Sequence, residues 1–382
     1  MSIWIPRTID VGARVKPHRA TVIYGPRRVG KTSLVDRWLS GLDTDAVLRA
    51  SGDDVWVRTL LSSQDARRIQ RWAQGYDILF LDEAQRVPQG GWGLKIIIDS
   101  CPDLVVVVTG SASFALAGQV SEPLTGRQTP VALFPLSVSE VSPYDDELDR
   151  SVEDFLVFGM YPEVRTTTSD SERRDILSEL ASSYLFKDIL ELETVKHPKV
   201  LVDLLTLVAL QIGSLVSVNE LASTLGVDAK TVARYLDLLE KSFVLVNVRG
   251  FSRNLREEVT RTSKYYFYDT GVRNAILQNF SPVGRRADVG ALWENFLVME
   301  RIKTRSYARR EARSHFWRTW QQEEIDLIES VDGSLSAFEF KWNAKARARC
   351  PRRFADAYPD ATFTAVSRDN WLEFVRGEDI SM

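Results

Sequence analysis

Thr21-Val22-Ile23-Tyr24-Gly25-Pro26-Arg27-Arg28-Val29-Gly30-Lys31-Thr32-Ser33 is the stretch from which the rest of the chain can be read. Val22 to Tyr24 reads as a short buried strand, Ser33 to Leu39 as a helix, and Gly25 to Thr32 follow the spacing GxxxxGK[ST] between them. Strand, glycine-rich loop and helix in that order make a phosphate-binding loop. The glycines let successive backbone N–H groups face phosphate oxygens, and the helix N-terminus adds a favourable dipole. Lys31 would reach the terminal phosphates and the Thr32 hydroxyl would bind magnesium.

Two acids further on complete the expectation. Tyr76-Asp-Ile-Leu-Phe-Leu-Asp82-Glu83 is an apolar run ending in carboxylates, as a central parallel strand does where it emerges at the ligand edge of its sheet. Asp82 would hold magnesium through its water shell, and Glu83 would polarise an attacking water, the role that separates a hydrolase from a nucleotide binder. Leu104 to Thr109 reads as another buried strand. Ser111 beyond it is a candidate sensor of the terminal phosphate, and equally a plain helix cap. After the Ser33 to Leu39 helix and before Tyr76, Asp53 to Leu60 alternates at Val55 and Val57 and is expected as a second strand. The implied ligands are ATP and Mg2+, bound by Gly25, Pro26, Arg27, Arg28, Val29, Gly30, Lys31, Thr32, Ser33 and Asp82.

A chain of 382 residues exceeds one ordinary core, so two to four domains are expected, and 44% hydrophobic with 26% charged residues is the composition of a folded soluble protein. The net charge of −3 masks local asymmetry. Cys101 and Cys350 stand in unrelated contexts, which argues for a reducing compartment and against a cysteine zinc site. Three histidines form no cluster in the sequence, and no apolar run reaches membrane-spanning length. The expectation is a cytoplasmic protein with no membrane partner.

The order GPRRVGKTS, LFLDEAQRVP, VVVTGSAS and LTGRQTPVALFPLSVSE resembles prokaryotic AAA+-type ATPases with a C-terminal domain of formerly unknown function. The resemblance implies that Gly126-Arg127 and Pro135-Leu136-Ser137 close the ATPase core. It makes Arg127 a candidate finger or sensor at the terminal phosphate, with an ordinary exposed arginine as the alternative. It also allows a homo-oligomeric ring in which Arg127 serves a neighbour, although a monomer or dimer fits the chain equally. Phe155 to Val164 resembles the family's glycine-glycine-tyrosine-proline turn, with Met160 where a second glycine is common.

The middle of the chain reads as helical. Residues 172–193 carry Ile176, Leu180, Tyr184, Leu185 and Ile189 at helical spacing, and Leu201 opens an apolar helix. Val218 to Phe243 reads as helix, turn at Leu225-Gly226-Val227, and a second helix capped by Asp228, followed by a strand and a basic segment to Arg261. That pattern is a winged helix-turn-helix whose outer face would present Lys230, Thr231, Arg234 and Tyr235 to DNA, or serve as a docking module. Lys264 to Gly271 reads as a strand and a turn, its tyrosines belonging either to a core or to a base-stacking surface.

The last part contains a second constellation. A helix carries Glu294; strands follow with Asp326 and with Glu339-Phe-Lys341, joined by a hairpin at Asp332-Gly333. Glu339 and Lys341 share one strand face, and pairing brings Asp326 beside them. Two carboxylates can bind a divalent metal and an adjacent lysine can activate water for phosphodiester attack. The set resembles the restriction-endonuclease-like fold, Asp then Glu-x-Lys with an acid on the first helix, which implies metal ligands Glu294, Asp326 and Glu339 and a catalytic Lys341. Basic blocks from Arg301 to Arg318 and from Lys345 to Arg353 fit a polyanion, or a solvated helix face.

The expected fold is therefore α/β: a P-loop AAA+ ATPase domain at 1–140, a helical bridge at 141–200, a winged helix-turn-helix at 201–270, and a restriction-endonuclease-like domain at 271–382. The expected function is Mg-dependent ATP hydrolysis coupled to DNA binding or cleavage. The alternative is an ATP-dependent switch that does not cut.

Overall fold

The computed structural model describes residues 4–110, 123–144, 148–183, 197–252, 263–310, 312–345 and 348–377. The first part is built on β1 (Ala20–Tyr24), α1 (Lys31–Leu39), β2 (Val47–Ser51), α2 (Val55–Ser62), α3 (Ala66–Ala73), β3 (Ile78–Asp82), α4 (Gly90–Ser100), β4 (Val105–Gly110), β5 (Gln128–Ala132) and the short α5 (Val138–Val141). Its sheet is all parallel in the order β2-β3-β4-β1-β5. Side chains alternate between two layers. Ala20 and Val22 pack with Val106, Val108 and α2 to α4, whereas Ile23 and Val107 face α1 and the rest of the chain.

Asp53 to Leu60 is not a strand. Asp54 has extended backbone and its side chain accepts the Trp56 N–H, capping α2, a cap worth about 1 kcal/mol. Val57, Leu60 and Leu61 then recur at helical spacing on the buried face while Val55 is 66% exposed. The alternation at Val55 and Val57 misled because it spans only two residues, and the strand paired with β3 lies just upstream.

The middle comprises α6 (Leu148–Phe158), α7 (Pro162–Thr166), α8 (Asp170–Ser183), α9 (Pro198–Leu210), β6 (Leu215–Val216), α10 (Val218–Leu225), α11 (Ala229–Lys241), β7 (Leu245–Gly250), β8 (Ser263–Phe267) and α12 (Thr270–Ile276). Asp228 caps α11 through the Thr231 N–H, as its position in the sequence implies. Tyr235 does not face outward: it is fully buried, its hydroxyl accepting the His197 N–H. Tyr265, Tyr266 and Phe267 are likewise core residues. The turn expected after β8 is a helix, α12, capped by Asp269. Asp269 also accepts the Met160 N–H at 2.6 Å, so the segment holding Met160 is fixed by an amide contact that any residue but proline can supply. Tyr184, Leu185 and Ile189, and the basic segment from residue 253 to 262, lie outside the described residues.

The remainder is α13 (Val289–Ala308), β9 (Arg313–Arg318), β10 (Glu324–Val331), β11 (Ser334–Phe340), α14 (Arg352–Ala357), β12 (Thr362–Val366) and α15 (Trp371–Arg376). β10 and β11 form the expected hairpin, Val331 opposite Ser334, with φ of 48° at Asp332 and 86° at Gly333, a turn with positive φ at both central residues. Among the described residues the second sheet has seven strands in the order β12-β11-β10-β9-β7-β8-β6. Parallel pairing of Arg249 with His315 and Gly250 with Phe316 joins the strands beside α11 to those after α13. One buried cluster runs from Ile23 through Val157 and Leu236 to Trp293 and Phe374. Among the described residues no helix is long and apolar enough to cross a membrane.

Candidate nucleotide site and C-terminal carboxylate cluster

The phosphate loop leaves the C-terminal end of β1 and enters α1. Gly25 passes so close to the next strand connection that a Cβ would lie 2.0 Å from the Leu133 carbonyl oxygen, and its φ is 153°. Gly30, with φ of 91°, stands at the N-cap of α1 without a side-chain cap, so the first amides of the helix are left for a ligand. Lys31 is buried and its ammonium donates to the carbonyls of Gly25 at 3.0 Å and Pro26 at 2.7 Å. Val29 is buried, and Thr32 and Ser33 are exposed at the helix start. Arg28 reaches away to Glu179 and Glu163.

Sheet order sets the chemistry beside the loop. β4 lies between β1 and β3, so the tips of three strands meet at Asp82. The Thr32 hydroxyl donates to Asp82 Oδ2 at 3.0 Å, and the buried Thr109 hydroxyl at the tip of β4 donates to Asp82 Oδ1. Glu83 follows in left-handed backbone, φ 50°, with its carboxylate bonded by Gln85. Hard oxygen donors at Thr32 and Asp82 suit Mg2+. Thr109 is a site residue that sequence reasoning passed over. Its signal was the polar residue closing a run of four valines.

Ser111 lies outside the described residues. Arg127 is not brought to the loop. Its carbonyl accepts the Ala20 N–H, and Gln128 pairs with Ala20, which places it at the start of β1 while the loop follows the other end. Its guanidinium pairs with Asp99 at 2.7 Å. Five residues of strand separate the two edges by about 16 Å, beyond the reach of an arginine to a phosphate in the same chain.

The C-terminal cluster gathers around the β10–β11 hairpin. Asp326 Oδ2 accepts the Phe340 N–H at 2.8 Å, and Lys341 donates to Glu339 Oε1 at 2.6 Å. Glu294 of α13 is next to them but is already engaged: Lys264 donates to its Oε1 at 2.9 Å and the Tyr266 hydroxyl at 2.6 Å. Lys264 also pairs with Glu324 at 2.5 Å and is 1% exposed. Lys264 and Glu324 were not expected; their sequence signal, a lysine opening an aromatic strand and an acid opening the next, is common. Burial and then the charges of Glu294 and Glu339 push the Asp326 carboxyl well above the usual range, and burial raises Glu294. Burial opposes the Lys264 ammonium, but Glu294, Glu324 and Asp326 outweigh it and raise its pKa.

A metal reading of this cluster fits in part. Glu339 Oε2 is buried without a hydrogen-bond partner, an acceptor suited to a cation. Glu294, however, holds Lys264, and among the described residues no three His, Cys, Asp or Glu side chains are gathered to hold a metal ion. Part of the first basic block is engaged internally, while Arg309, Arg310 and Arg313 are exposed. Arg301 and Arg305 both clamp the buried Glu329, Lys303 is buried against Glu300 and the Leu136 carbonyl, and Arg318 pairs with Glu324. In the second block Arg347 lies outside the described residues, and Lys345, Arg349, Arg352 and Arg353 are exposed beyond Lys341.

Residues 17–142 match the AAA domain family, residues 149–282 a domain of unknown function (DUF8612), and residues 289–374 another domain of unknown function (DUF4143). An uncharacterized protein of Mycobacterium tuberculosis is 28% identical over 340 residues, 87% of this chain and 73% of its own length. An uncharacterized protein of Methanocaldococcus jannaschii is 21% identical over 339 residues, 84% of this chain and 74% of its own. Among solved structures, the Bacillus subtilis DNA clamp loader delta protein covers 75% of this chain and 96% of its own at 12% identity, with a TM-score of 0.26, too slight a likeness to bear on this fold. The chain thus joins an AAA domain, which carries the phosphate loop, to a C-terminal domain of the DUF4143 family.

Proposed function

We propose that the protein is a Mg-dependent ATP hydrolase that uses its nucleotide cycle to govern engagement of nucleic acid by the C-terminal part. The observation that carries the first half is the convergence of Thr32, Asp82 and Thr109 beside Lys31 and the bare N-terminus of α1. When ATP enters, Lys31 exchanges the Gly25 and Pro26 carbonyls for the terminal phosphates and offsets charge that builds on them. Thr32 and Asp82 would hold Mg2+, which supplies further charge neutralisation when bound. Glu83, steadied by Gln85, orients water for attack. ATP turnover measured with and without single- and double-stranded DNA tests the reading. Loss of turnover in Glu83→Gln together with stimulation by DNA supports it, and turnover indifferent to DNA removes its second half.

The restriction-endonuclease-like reading of the last part is supported by Asp326 and Glu339 side by side on a hairpin and by exposed basic residues beyond Lys341. In that reading Lys341 would position water for attack on a phosphodiester. Lys264 favours a second reading, an ATP-dependent switch that binds without cutting, because it occupies the first-helix carboxylate Glu294 with an internal cation. Cleavage of DNA in the presence of Mg2+ or Mn2+, lost in Lys341→Ala, would decide for the first; no cleavage with intact DNA binding would decide for the second.

A further inference from the structure

Arg7 precedes the part of the chain that matches the AAA family and belongs to no motif, yet it is among the most constrained side chains in the molecule. Its guanidinium is 2% exposed and donates from three nitrogens. Nη1 bonds the Val29 carbonyl at 2.7 Å, Nη2 the Phe134 carbonyl at 2.7 Å and the Tyr307 hydroxyl at 3.2 Å, and Nε the Glu140 carboxylate at 3.0 Å. Glu140 is held in turn by the N–H groups of Thr8 and Ser137, both at 2.8 Å. The Tyr307 hydroxyl also accepts the Phe134 N–H at 3.2 Å.

Val29 is the loop residue before Gly30. A trans peptide is planar, with its C=O and N–H on opposite sides. Fixing the Val29 carbonyl on Arg7 therefore turns the Gly30 N–H away from Arg7, the orientation that a loop amide needs if phosphate enters from the opposite side. Charge-assisted bonds of this kind are short and directional, and a guanidinium forks to several acceptors where an ammonium cannot.

We propose that Arg7 is a positioning residue of the nucleotide site: it sets the pitch of the phosphate loop through the Val29 carbonyl, and its own orientation is set by Glu140 and by Tyr307 of α13. The loop is thereby preformed only when α13 is docked. This rests on the reading of the loop as an ATP site.

The test uses the full chain and two conservative variants, with a fluorescent ATP analogue titrated in Mg2+, ATP turnover over a range of concentrations, and thermal unfolding. Arg7→Lys keeps the charge and loses the fork; Tyr307→Phe removes one hydroxyl and keeps the ring. The expected results are nucleotide affinity weakened about tenfold in Arg7→Lys and about threefold in Tyr307→Phe. KM rises by the same factors, and kcat at saturating ATP stays within about twofold because Lys31 and Glu83 are untouched. Should Arg7→Lys fail to fold, Tyr307→Phe carries the test alone. Affinity equal to that of the unaltered chain in a folded variant, or a lowered melting temperature with unchanged affinity, overturns the proposal. Absence of ATP binding by the unaltered chain would overturn the reading of the nucleotide site itself, and the clamp with it.

Discussion

Replacing Asp288 by Asn would remove the charge that Arg273 and Arg286 share just ahead of α13. Asp288 accepts from Arg273 Nη1 at 2.5 Å, Arg286 Nε at 2.8 Å and Arg286 Nη2 at 2.9 Å, and the two arginine side chains are 2% and 0% exposed. Burial by itself would raise the carboxyl, but the hydrogen bonds and charges of Arg286 and Arg273 prevail and hold it at about 2 against an ordinary 3.8. That gap, at about 1.36 kcal/mol per unit, amounts to about 2.5 kcal/mol of folded-state preference for the carboxylate. Because the folded pKa is depressed, this stability is present above pH 3.8 and is lost as pH falls toward 2. Asn cannot supply it at any pH, and it leaves two buried guanidiniums uncompensated, which costs about 3 kcal/mol or somewhat more. Urea unfolding followed by tryptophan fluorescence at pH 7, 5, 4 and 3 should show Asp288→Asn less stable by about 3 kcal/mol at neutral pH, with the deficit narrowing below pH 4. A deficit under about 0.5 kcal/mol at pH 7, or one equally large at pH 7 and pH 3, refutes the reasoning.

Thr109→Val keeps the shape of the β4 tip and deletes its hydrogen bond to Asp82, so ATP turnover should fall about tenfold with little change in melting temperature; an unaltered rate would show that Asp82 is held without it. Arg127→Ala should leave turnover unchanged in dilute protein, and any loss should emerge only at concentrations where subunits associate, as sedimentation run alongside would show. A loss at every dilution would mean that Arg127 acts within its own chain. Lys264→Met takes the shared cation from Glu294 and Glu324 and leaves only Arg318 on Glu324; it should destabilise the chain by about 3 kcal/mol in urea, Glu294→Gln in the same chain recovering most of it. No recovery in the double variant would mean that Lys264 matters instead for the contact of its ammonium with the Phe316 ring, 5.5 Å from the ring centre.

The phosphate loop was legible because its function fixes spacing, and spacing survives in one dimension. The hairpin at Asp332-Gly333 was legible for a similar reason, since positive φ at two successive positions restricts the residues that can stand there. What escaped was set by tertiary partners. Val55 and Val57 suit a strand as well as a helix, and only the Asp54 cap and the packing of Leu60 and Leu61 decide. Arg301, Lys303 and Arg305 read as a basic face until the fold brings Glu329, Glu300 and the Leu136 carbonyl against them. Lys264 lies thirty positions from Glu294 along the chain, and no local pattern announces that one neutralises the other. Arg7 is the extreme case, since every acceptor it uses lies on a different element.

Whether the two ends of the chain are coupled could not be read from motifs, but the contacts of α13 supply a physical route. Tyr307 near its C-terminal end meets Arg7 at the phosphate loop, and Glu294 near its N-terminal end meets Lys264 in the carboxylate cluster. Thirteen helical steps from one to the other span about 20 Å. Along the way Glu300 accepts the Val138 N–H at 2.7 Å and Lys303 donates to the Leu136 carbonyl at 2.8 Å, so with Tyr307 the helix is bonded to the AAA domain at three successive turns. Each of these bonds joins buried groups, and breaking one strands a charge or an amide away from water. Sliding the helix alone would break several at once. A shift of the segment holding Phe134 to Val138 therefore moves α13 with it, and Glu294 moves as the far end of the same rod. Nucleotide occupancy can bias the carboxylate cluster only to the extent that it favours one position of that rod over another. If DNA engages the carboxylate cluster as proposed, Tyr307→Phe should weaken the stimulation of turnover by DNA, and stimulation equal to that of the unaltered chain would refute this route.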